Sequence, residues 1–159
     1  MSLPGTPVFK IIISDTSCLI ILEKITALDL LRQLYRQVII TPQVQREFGM
    51  DLPNWIGVQE PQDTALVDAF KESADPGEAS AVALAIETSG AILLVDDRKA
   101  RILAKRMEIA FMGSLGLLIT AKTHGLIPLI RPFTDRMLQT DFRVSRLLIE
   151  YALQQVGEY

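Results

Sequence analysis

The chain has 159 residues and a mass of 17.7 kDa, which is the length of one domain and enough to bury a substantial core. Hydrophobic residues make up 49% of it and charged residues 22%, a composition that is ordinary for a folded protein and excludes extended disorder. A single cysteine, Cys18, excludes an internal disulfide and a multi-cysteine zinc site.

The net charge of −3 hides an uneven distribution along the chain. Residues 1–97 carry 6 basic and 14 acidic side chains, whereas residues 98–146 carry 10 basic and 3 acidic ones. This asymmetry indicates an acidic centre beside a basic surface, which would suit a site that holds a cation and a polyanion together. A chance division between solvated faces is the alternative.

The apolar runs are too short to span a membrane, and residues 1–10 lack the basic and apolar parts of an export signal. We therefore expect no membrane association and a cytoplasmic protein. The chain has no repeat, low-complexity tract or long linker. We expect residues 1–159 to form one domain, with residues 126–159 as a helical C-terminal extension.

Apolar segments of strand length recur along the chain and alternate with helical patterns. Residues 8–14 are rich in isoleucine and do not alternate with polar residues, which is typical of a strand buried on both faces of a parallel sheet. Further strands are predicted at 38–40, near Val58, at 91–95 and at 109–112.

Helix start and stop signals lie between these strands. Thr41 before Pro42 and Asp75 before Pro76 are typical of a helix cap and first turn. The predicted helices cover residues 16–25, 27–35, 42–48, 64–72, 76–87, 99–107, 115–123, 128–138 and 146–156. This alternation predicts an α/β fold with helices on both faces of a parallel sheet.

Acidic residues follow the predicted strands or begin helices at one edge of the sheet, where ligands gather in parallel α/β folds. They are Asp15, Glu47, Glu78, Asp96 and Asp97. Carboxylates grouped without histidine or cysteine suit a hard cation such as Mg²⁺ or Mn²⁺. A bound cation would relieve the mutual repulsion that otherwise raises their pKa values.

Each acid also has a purely structural interpretation. Asp15 could cap the helix that follows it, Glu47 could be solvated, and Glu78 fits the third position of a capping box. The adjacent pair Asp96 and Asp97 is harder to explain in this way, because only one of them can cap the next helix.

A basic cluster starts directly after the paired acids and consists of Arg98, Lys99, Arg101, Lys105 and Arg106. These side chains are close enough to the acids for some to neutralise substrate phosphates. A solvated helix face is the alternative. The aromatic residues form no stripe, so they do not indicate sequence-specific recognition of a nucleic acid.

Four segments resemble, in order and spacing, the PIN domain as found in toxins of the VapC type. They are residues 11–17, Glu47 after residues 41–42, residues 76–79 and residues 93–98. Residues 96–101 and 113–118, with the helical tail, are similar to a related PIN-like group that is predicted to bind nucleic acid. The resemblance implies a three-layer α/β/α fold, a metal-dependent nuclease site that acts on RNA, and often a dimer held by a small antitoxin protein.

The resemblance also implies roles for individual residues. Asp15, Glu47 and Glu78 match acidic positions of the family, and either Asp96 or Asp97 matches the fourth. Asp15, Glu78 and this pair are the expected metal ligands. Three hydroxyl residues match polar positions near the site, although the last could equally be a helix cap: Thr16, Ser17 and Ser114.

The leading hypothesis is a ribonuclease that hydrolyses RNA phosphodiester bonds with metal-activated water, as the toxin of a toxin–antitoxin pair and as a homodimer. His124 is then not needed as a base, and we expect it at the surface or at a helix end. The alternative is a non-catalytic interaction module on the same fold. A receiver or phosphatase is disfavoured, because residues 15–17 lack a second aspartate.

Overall fold

The computed structural model describes residues 9–159. Val8, which is predicted to open the first strand, lies outside the described residues, as do most of residues 1–10. Within the described chain, five strands form one parallel sheet in the order β3-β2-β1-β4-β5. Their bounds are β1 (Phe9–Ser14), β2 (Tyr35–Ile40), β3 (Ile56–Val58), β4 (Ala91–Leu94) and β5 (Phe111–Met112).

The central strand β1 fixes the register of its two neighbours. Ile12 lies opposite Val38 of β2 on one side and opposite Ile92 of β4 on the other. Because all the pairings are parallel, the carboxyl ends of the strands meet at one edge of the sheet. Asp15, directly after β1, therefore lies in the middle of that edge.

Helices cover both faces of the sheet within residues 9–159. They are α1 (Thr16–Lys24), α2 (Asp29–Leu34), α3 (Pro42–Phe48), α4 (Thr64–Phe70), α5 (Pro76–Glu87), α6 (Arg98–Arg106), α7 (Ser114–Thr123), α8 (Arg131–Leu138) and α9 (Arg146–Gln155). The three-layer α/β/α fold predicted from the resemblance is confirmed. Of the helices within residues 9–159, none has the length and apolar character needed to cross a membrane.

The core has two parts, one on each face of the sheet. Ile12 belongs to the larger cluster and Ile13 to the smaller one, because successive side chains of a strand point to opposite faces. Both side chains are fully buried. The prediction of a strand buried on both faces is thus confirmed, and the apolar burial of the two layers holds the edge of the sheet in place.

Two predicted helices differ from the observed ones. The helix predicted at 27–35 is shorter, because Tyr35 begins β2 and pairs with Phe9 of β1. Tyrosine favours strands, and sheet pairing outweighs the local helical pattern. The helix predicted at 128–138 begins at Arg131, and Pro132 lies in its first turn, where its missing N–H costs nothing.

The C-terminal helices are joined by a buried carboxylate. Glu158 is 8% exposed and accepts hydrogen bonds from Ile130 N (2.7 Å), Arg131 N (3.0 Å) and Lys122 Nζ (2.9 Å). Burial opposes its charge, but these donors outweigh burial and lower its pKa. The carboxylate of Glu158 takes the place of an N-cap side chain at α8, because the N-cap residue, Ile130, has no polar side chain that could accept these hydrogen bonds.

Candidate active site

Asp15 connects β1 to α1 and is 1% exposed. Its N–H donates to Leu94 O of β4 (3.1 Å), and its Oδ1 accepts from Cys18 N (2.9 Å) as the N-cap of α1. The predicted capping role is therefore real, but it uses one oxygen only. Oδ2 is buried and has no hydrogen-bond partner among the described residues.

The surroundings of Asp15 oppose its negative charge. Burial raises the pKa of this carboxyl to about 7, the hydrogen bonds from Cys18 work against the rise, and the negative charges of Asp96 and Asp75 add to it. A cation at the free oxygen would remove this cost, and no side chain of the described chain supplies one there.

Asp96 follows β4 and is fixed by groups from two other elements. Its Oδ1 accepts from Ser114 N (2.9 Å), and its Oδ2 accepts from Ser114 Oγ (2.8 Å) and from Cys18 Sγ (3.2 Å). Ser114 does not cap α7, because Gly113 is the N-cap residue there. The capping alternative for Ser114 is thus wrong, and its side chain orients the Asp96 carboxylate instead.

Cys18 joins the two carboxylates, since its N–H binds Asp15 and its thiol binds Asp96. Its side chain is fully buried, and burial together with the charges of Asp15 and Asp96 raises its pKa well above the ordinary value. The residue is therefore a neutral hydrogen-bond donor, and the bond from its thiol to Asp96 holds α1 against the end of β4.

The ambiguity between Asp96 and Asp97 is explained by their hydrogen bonds. Asp97 is the N-cap of α6, where its Oδ2 accepts from Lys99 N (2.9 Å) and Ala100 N (3.3 Å). Asp96 is linked to Asp15 through Cys18, whose thiol donates to Asp96 and whose N–H donates to Asp15. One acid of the pair caps the helix, and the other faces the central edge of the sheet.

Glu78 is buried, and it forms the predicted capping box with Asp75. Asp75 N donates to its Oε1 (3.1 Å), and its own N–H donates to Asp75 Oδ1 (2.8 Å). Burial raises the pKa of Glu78 to about 8, the bond from Asp75 opposes the rise, and the charges of Asp75, Asp97 and Asp15 add to it. The predicted role of Glu78 in a capping box is confirmed, and the negative charges of nearby carboxylates also act on it.

Glu47 is exposed but held by hydrogen bonds. Its Oε1 accepts from Thr16 Oγ1 (2.6 Å) and its Oε2 from Gln43 Nε2 (2.8 Å). Gly77 passes so close to Glu47 and Thr16 that a Cβ atom at this position would overlap both side chains. Thr16 is thus the hydroxyl that contacts an acid, whereas Ser17 is exposed one residue further along α1.

The basic residues of α6 do not share one surface. Arg101 turns inward: its Nε donates to Val95 O (3.1 Å), and its guanidinium lies 5.5 Å from the centre of the Phe111 ring. Arg98 lies beside Asp96 and Asp97, and Lys99 beside Asp97 and Glu78. Lys105 is in the last turn, about 10 Å further along the helix axis, away from the acids.

The fit of this site to a metal ion depends on its donor atoms. No three His, Cys, Asp or Glu side chains of residues 9–159 are already arranged as a group that could hold a metal ion. The donors nevertheless fit a hard cation, because Asp15 has a buried, unpartnered oxygen and the charge of Asp96 acts on the same carboxyl. Asp15 and Asp96 would hold Mg²⁺ or Mn²⁺, and Glu78 and Asp97 would add negative charge nearby.

Several contributors to this site were missed from the sequence. No sequence motif singles out Cys18 as a site residue, although a capping aspartate accepts from the amide two or three residues on, and this rule places Cys18 beside Asp15. Gly77 and Gly113 are close to the acids for steric reasons that no local pattern reveals. His124 was predicted correctly: it ends α7, and its Nδ1 lies 2.9 Å from Thr120 O.

The profile of a family described as a PIN domain matches residues 11–158. The chain belongs to the PIN-domain family. PIN domains are in general nucleases that use divalent metal ions, so the fold of this chain is of a nuclease type. No curated protein matches the sequence. Membership of the family therefore supports nuclease chemistry in general. A more specific activity has to be inferred from the acidic residues of this PIN domain.

Proposed function

We propose that the chain is a ribonuclease that hydrolyses RNA phosphodiester bonds with Mg²⁺ or Mn²⁺. The observation that supports this most is the buried, unpartnered Oδ2 of Asp15 beside Asp96. A folded chain seldom leaves a buried polar atom without a partner, since its desolvation costs about 1–3 kcal/mol. A cation bound to this oxygen would remove the desolvation cost.

The residues of the chain would divide the work as follows. Asp15 and Asp96 would hold the ion, and Ser114 and Cys18 orient Asp96 through three hydrogen bonds. When bound, the ion makes water more acidic and offsets charge on the phosphate. Glu47, which accepts a hydrogen bond from Thr16 at 2.6 Å, would take a proton from the attacking water.

Binding of RNA would depend on the same ion. The pocket beside the acids has as many positive as negative side chains on its walls: Lys24, Arg98, Arg143, Asp96, Asp97 and Asp141. With the formal charges cancelling, the pocket has little net attraction for a polyanion until a divalent ion adds two positive charges. We therefore expect affinity for RNA to require the divalent ion and to fall with added salt.

The biological setting is a further part of the proposal. We propose that the protein is the toxin of a toxin–antitoxin pair, that it acts in the cytoplasm, and that it forms a homodimer. Support for a protein partner comes from α9, where Leu147 is 74% exposed, Leu148 57% and Tyr151 61%. An apolar surface of this kind is typical of a protein-protein contact. The molar mass in solution, alone and with a candidate antitoxin, tests this part.

The decisive experiment measures metal binding and RNA cleavage in matched variants. Asp15→Asn and Asp96→Asn should weaken Mn²⁺ binding, followed by calorimetry, by roughly a hundredfold or more, since even residues that only support metal ligands contribute about 10- to 100-fold. Both should abolish cleavage of a mixed RNA substrate. Asp63→Asn is the matched control, because Asp63 caps α4 away from the acids and asparagine caps equally well.

The interaction module is a second candidate, favoured by one observation. Asp15, Asp97 and Glu78 each take part in capping a helix, which would give three of the acids a structural role without any metal. If Asp15→Asn and Asp96→Asn bind Mn²⁺ as the unaltered protein does, and no RNA is cleaved, the module hypothesis replaces the nuclease.

A further inference from the structure

A pocket of about 580 Å³ opens beside the acidic edge, between α1 and the segment that joins α8 to α9. The residues that line it include the acids Asp96 and Asp97 and the apolar side chains of Ile20, Ile21 and Phe142. The volume is within the range of about 300–1,000 Å³ that is common for small-ligand sites. The pocket is therefore large enough for one nucleotide unit and is continuous with the proposed catalytic centre.

The segment that carries Phe142 is fixed by hydrogen bonds on both sides. Phe142 N donates to Thr140 Oγ1 (3.1 Å), and Thr140 Oγ1 donates to Met137 O at the end of α8 (2.7 Å). On the other side Ser145 caps α9. Phe142 is itself half-buried against the larger core cluster. The aromatic wall is thus preformed, and binding would need little ordering of the chain.

The lining of the pocket combines two kinds of side chain. A phosphate cannot sit against Asp96 and Asp97 unless a cation intervenes, whereas the apolar side chains of Phe142 and Ile20 suit a base. Arg98 and Arg143 line the same pocket, and guanidinium groups bind phosphate oxygens well. This combination suits one base on Phe142 with its neighbouring phosphodiester near the acids.

We propose that this pocket takes one unpaired base of a single-stranded RNA, stacked on Phe142, with the flanking phosphates next to Arg98 and Arg143. The inference rests on the proposed function, and it adds a base-binding position next to the acids. A base in a duplex is stacked and paired, so only an unpaired one can leave its neighbours to enter a pocket. Among the described residues that line the pocket, Phe142 alone is aromatic, which limits the stack to one base.

The first test leaves the protein unchanged. A labelled single-stranded RNA of fixed sequence is prepared as a series in which one position at a time lacks its base, and binding is measured in Ca²⁺ and cleavage in Mg²⁺. We expect one position next to the cleaved bond to lose roughly tenfold or more in affinity, as removal of a base–aromatic stack does. Annealing the complementary strand should abolish binding. Equal affinity at every position would overturn the base pocket.

The second test connects that position to Phe142. Phe142→Leu keeps an apolar side chain against the core but removes the aromatic face, and Phe133→Leu is the matched control, since Phe133 is also half-buried on the same cluster and lies outside the pocket. We expect Phe142→Leu to bind the intact RNA about tenfold more weakly and to lose the difference between intact and base-free RNA. A variant that keeps that difference contradicts the role of Phe142.

The outcomes separate the pocket from the proposed function. Cleavage that is insensitive to every base removal supports the nuclease and rejects the pocket. Binding that is sensitive to one base, without cleavage under any metal, supports the pocket and rejects the nuclease. Absence of binding to any single-stranded RNA rejects both.

Discussion

Two buried carboxylates of this chain have opposite environments. Asp15 is 1% exposed and Glu158 is 8% exposed, yet the pKa of Asp15 is raised to about 7 and that of Glu158 is lowered. Glu158 accepts from three donors, whereas Oδ2 of Asp15 accepts from none. Burial alone therefore does not decide the charge of an acid, because the pKa also depends on how many hydrogen-bond donors the carboxylate has.

The largest effect should follow the loss of the satisfied carboxylate. Glu158→Ala leaves the ammonium of Lys122 and the N–H groups of Ile130 and Arg131 without their acceptor. We expect a loss of about 3 kcal/mol in the free energy of unfolding at pH 7, at the lower end for a broken buried pair because Lys122 is partly exposed. Urea unfolding measures it, with Glu150→Ala on the exposed side of α9 as the control.

The pH dependence of that loss has a definite sign. Because the pKa of Glu158 is lower in the folded chain, its contribution is complete above its ordinary pKa of 4.5 and is lost as the pH falls below that value. The difference between the variant and the unaltered protein should therefore shrink below about pH 4. A difference that stays constant to pH 3 would show that packing, not charge, stabilises this region.

The opposite sign is expected for the unsatisfied carboxylate. A rise in pKa from 3.8 to about 7 means that ionised Asp15 costs the folded protein about 4 kcal/mol. Asparagine removes this cost, but its unpaired amide hydrogens cancel roughly half of the gain. Asp15→Asn should thus raise the metal-free unfolding free energy by about 2 kcal/mol at pH 8. The folded protein holds this proton from about pH 4 to pH 7, so the gain should grow over that interval and then level off.

Added Mn²⁺ should separate the unaltered protein from Asp15→Asn further. At a free Mn²⁺ concentration a hundred times the dissociation constant, the unaltered protein should be stabilised by about 2.7 kcal/mol, whereas the stability of Asp15→Asn should not change. A variant that is less stable than the parent in the absence of metal would contradict the view that Asp15 is destabilising when ionised.

The smallest effect concerns the crowding at Asp96. A Cβ atom at Gly113 would overlap Asp96 Oδ1 and approach Arg101 Nη2, although its backbone angles suit any residue. We expect Gly113→Ala to cost about 1 kcal/mol through overpacking. Gly116→Ala is the control, because its Cβ atom would make ordinary contacts inside α7 and should stabilise the chain by about 0.5–1 kcal/mol. Equal effects of the two would argue against crowding.

Local signals predicted most of the fold. The caps at Thr41, Asp75 and Ser145 begin helices as expected, because each signal concerns atoms within three residues of one another. Tyr35 and the start of α8 were predicted wrongly for a common reason. Sheet pairing with Phe9 fixes the first and the distant Glu158 caps the second, so neither is determined by neighbouring residues.

The site was predictable as a set of acids but not as an arrangement. Strand ends indicated which carboxylates share an edge, since parallel topology brings those ends together. The bond from Cys18 to Asp96 joins residues 78 positions apart, and the inward turn of Arg101 brings its guanidinium over the ring of Phe111 in β5. Such contacts arise from tertiary packing, so a basic cluster that looks uniform along α6 divides into side chains with different surroundings.

The pairing of β1 with β4 has a consequence for biosynthesis. Ser14 lies opposite Leu94, so Asp15 and Asp96 become neighbours only after some eighty intervening residues have folded back onto the first strand. Asp96 is fixed by Ser114, which follows β5. A ribosome-bound chain that ends before this serine lacks the orienting group of the centre, and slow, long-range closure of the sheet delays it further. The acidic centre is thus complete only after most of the polypeptide has been synthesised.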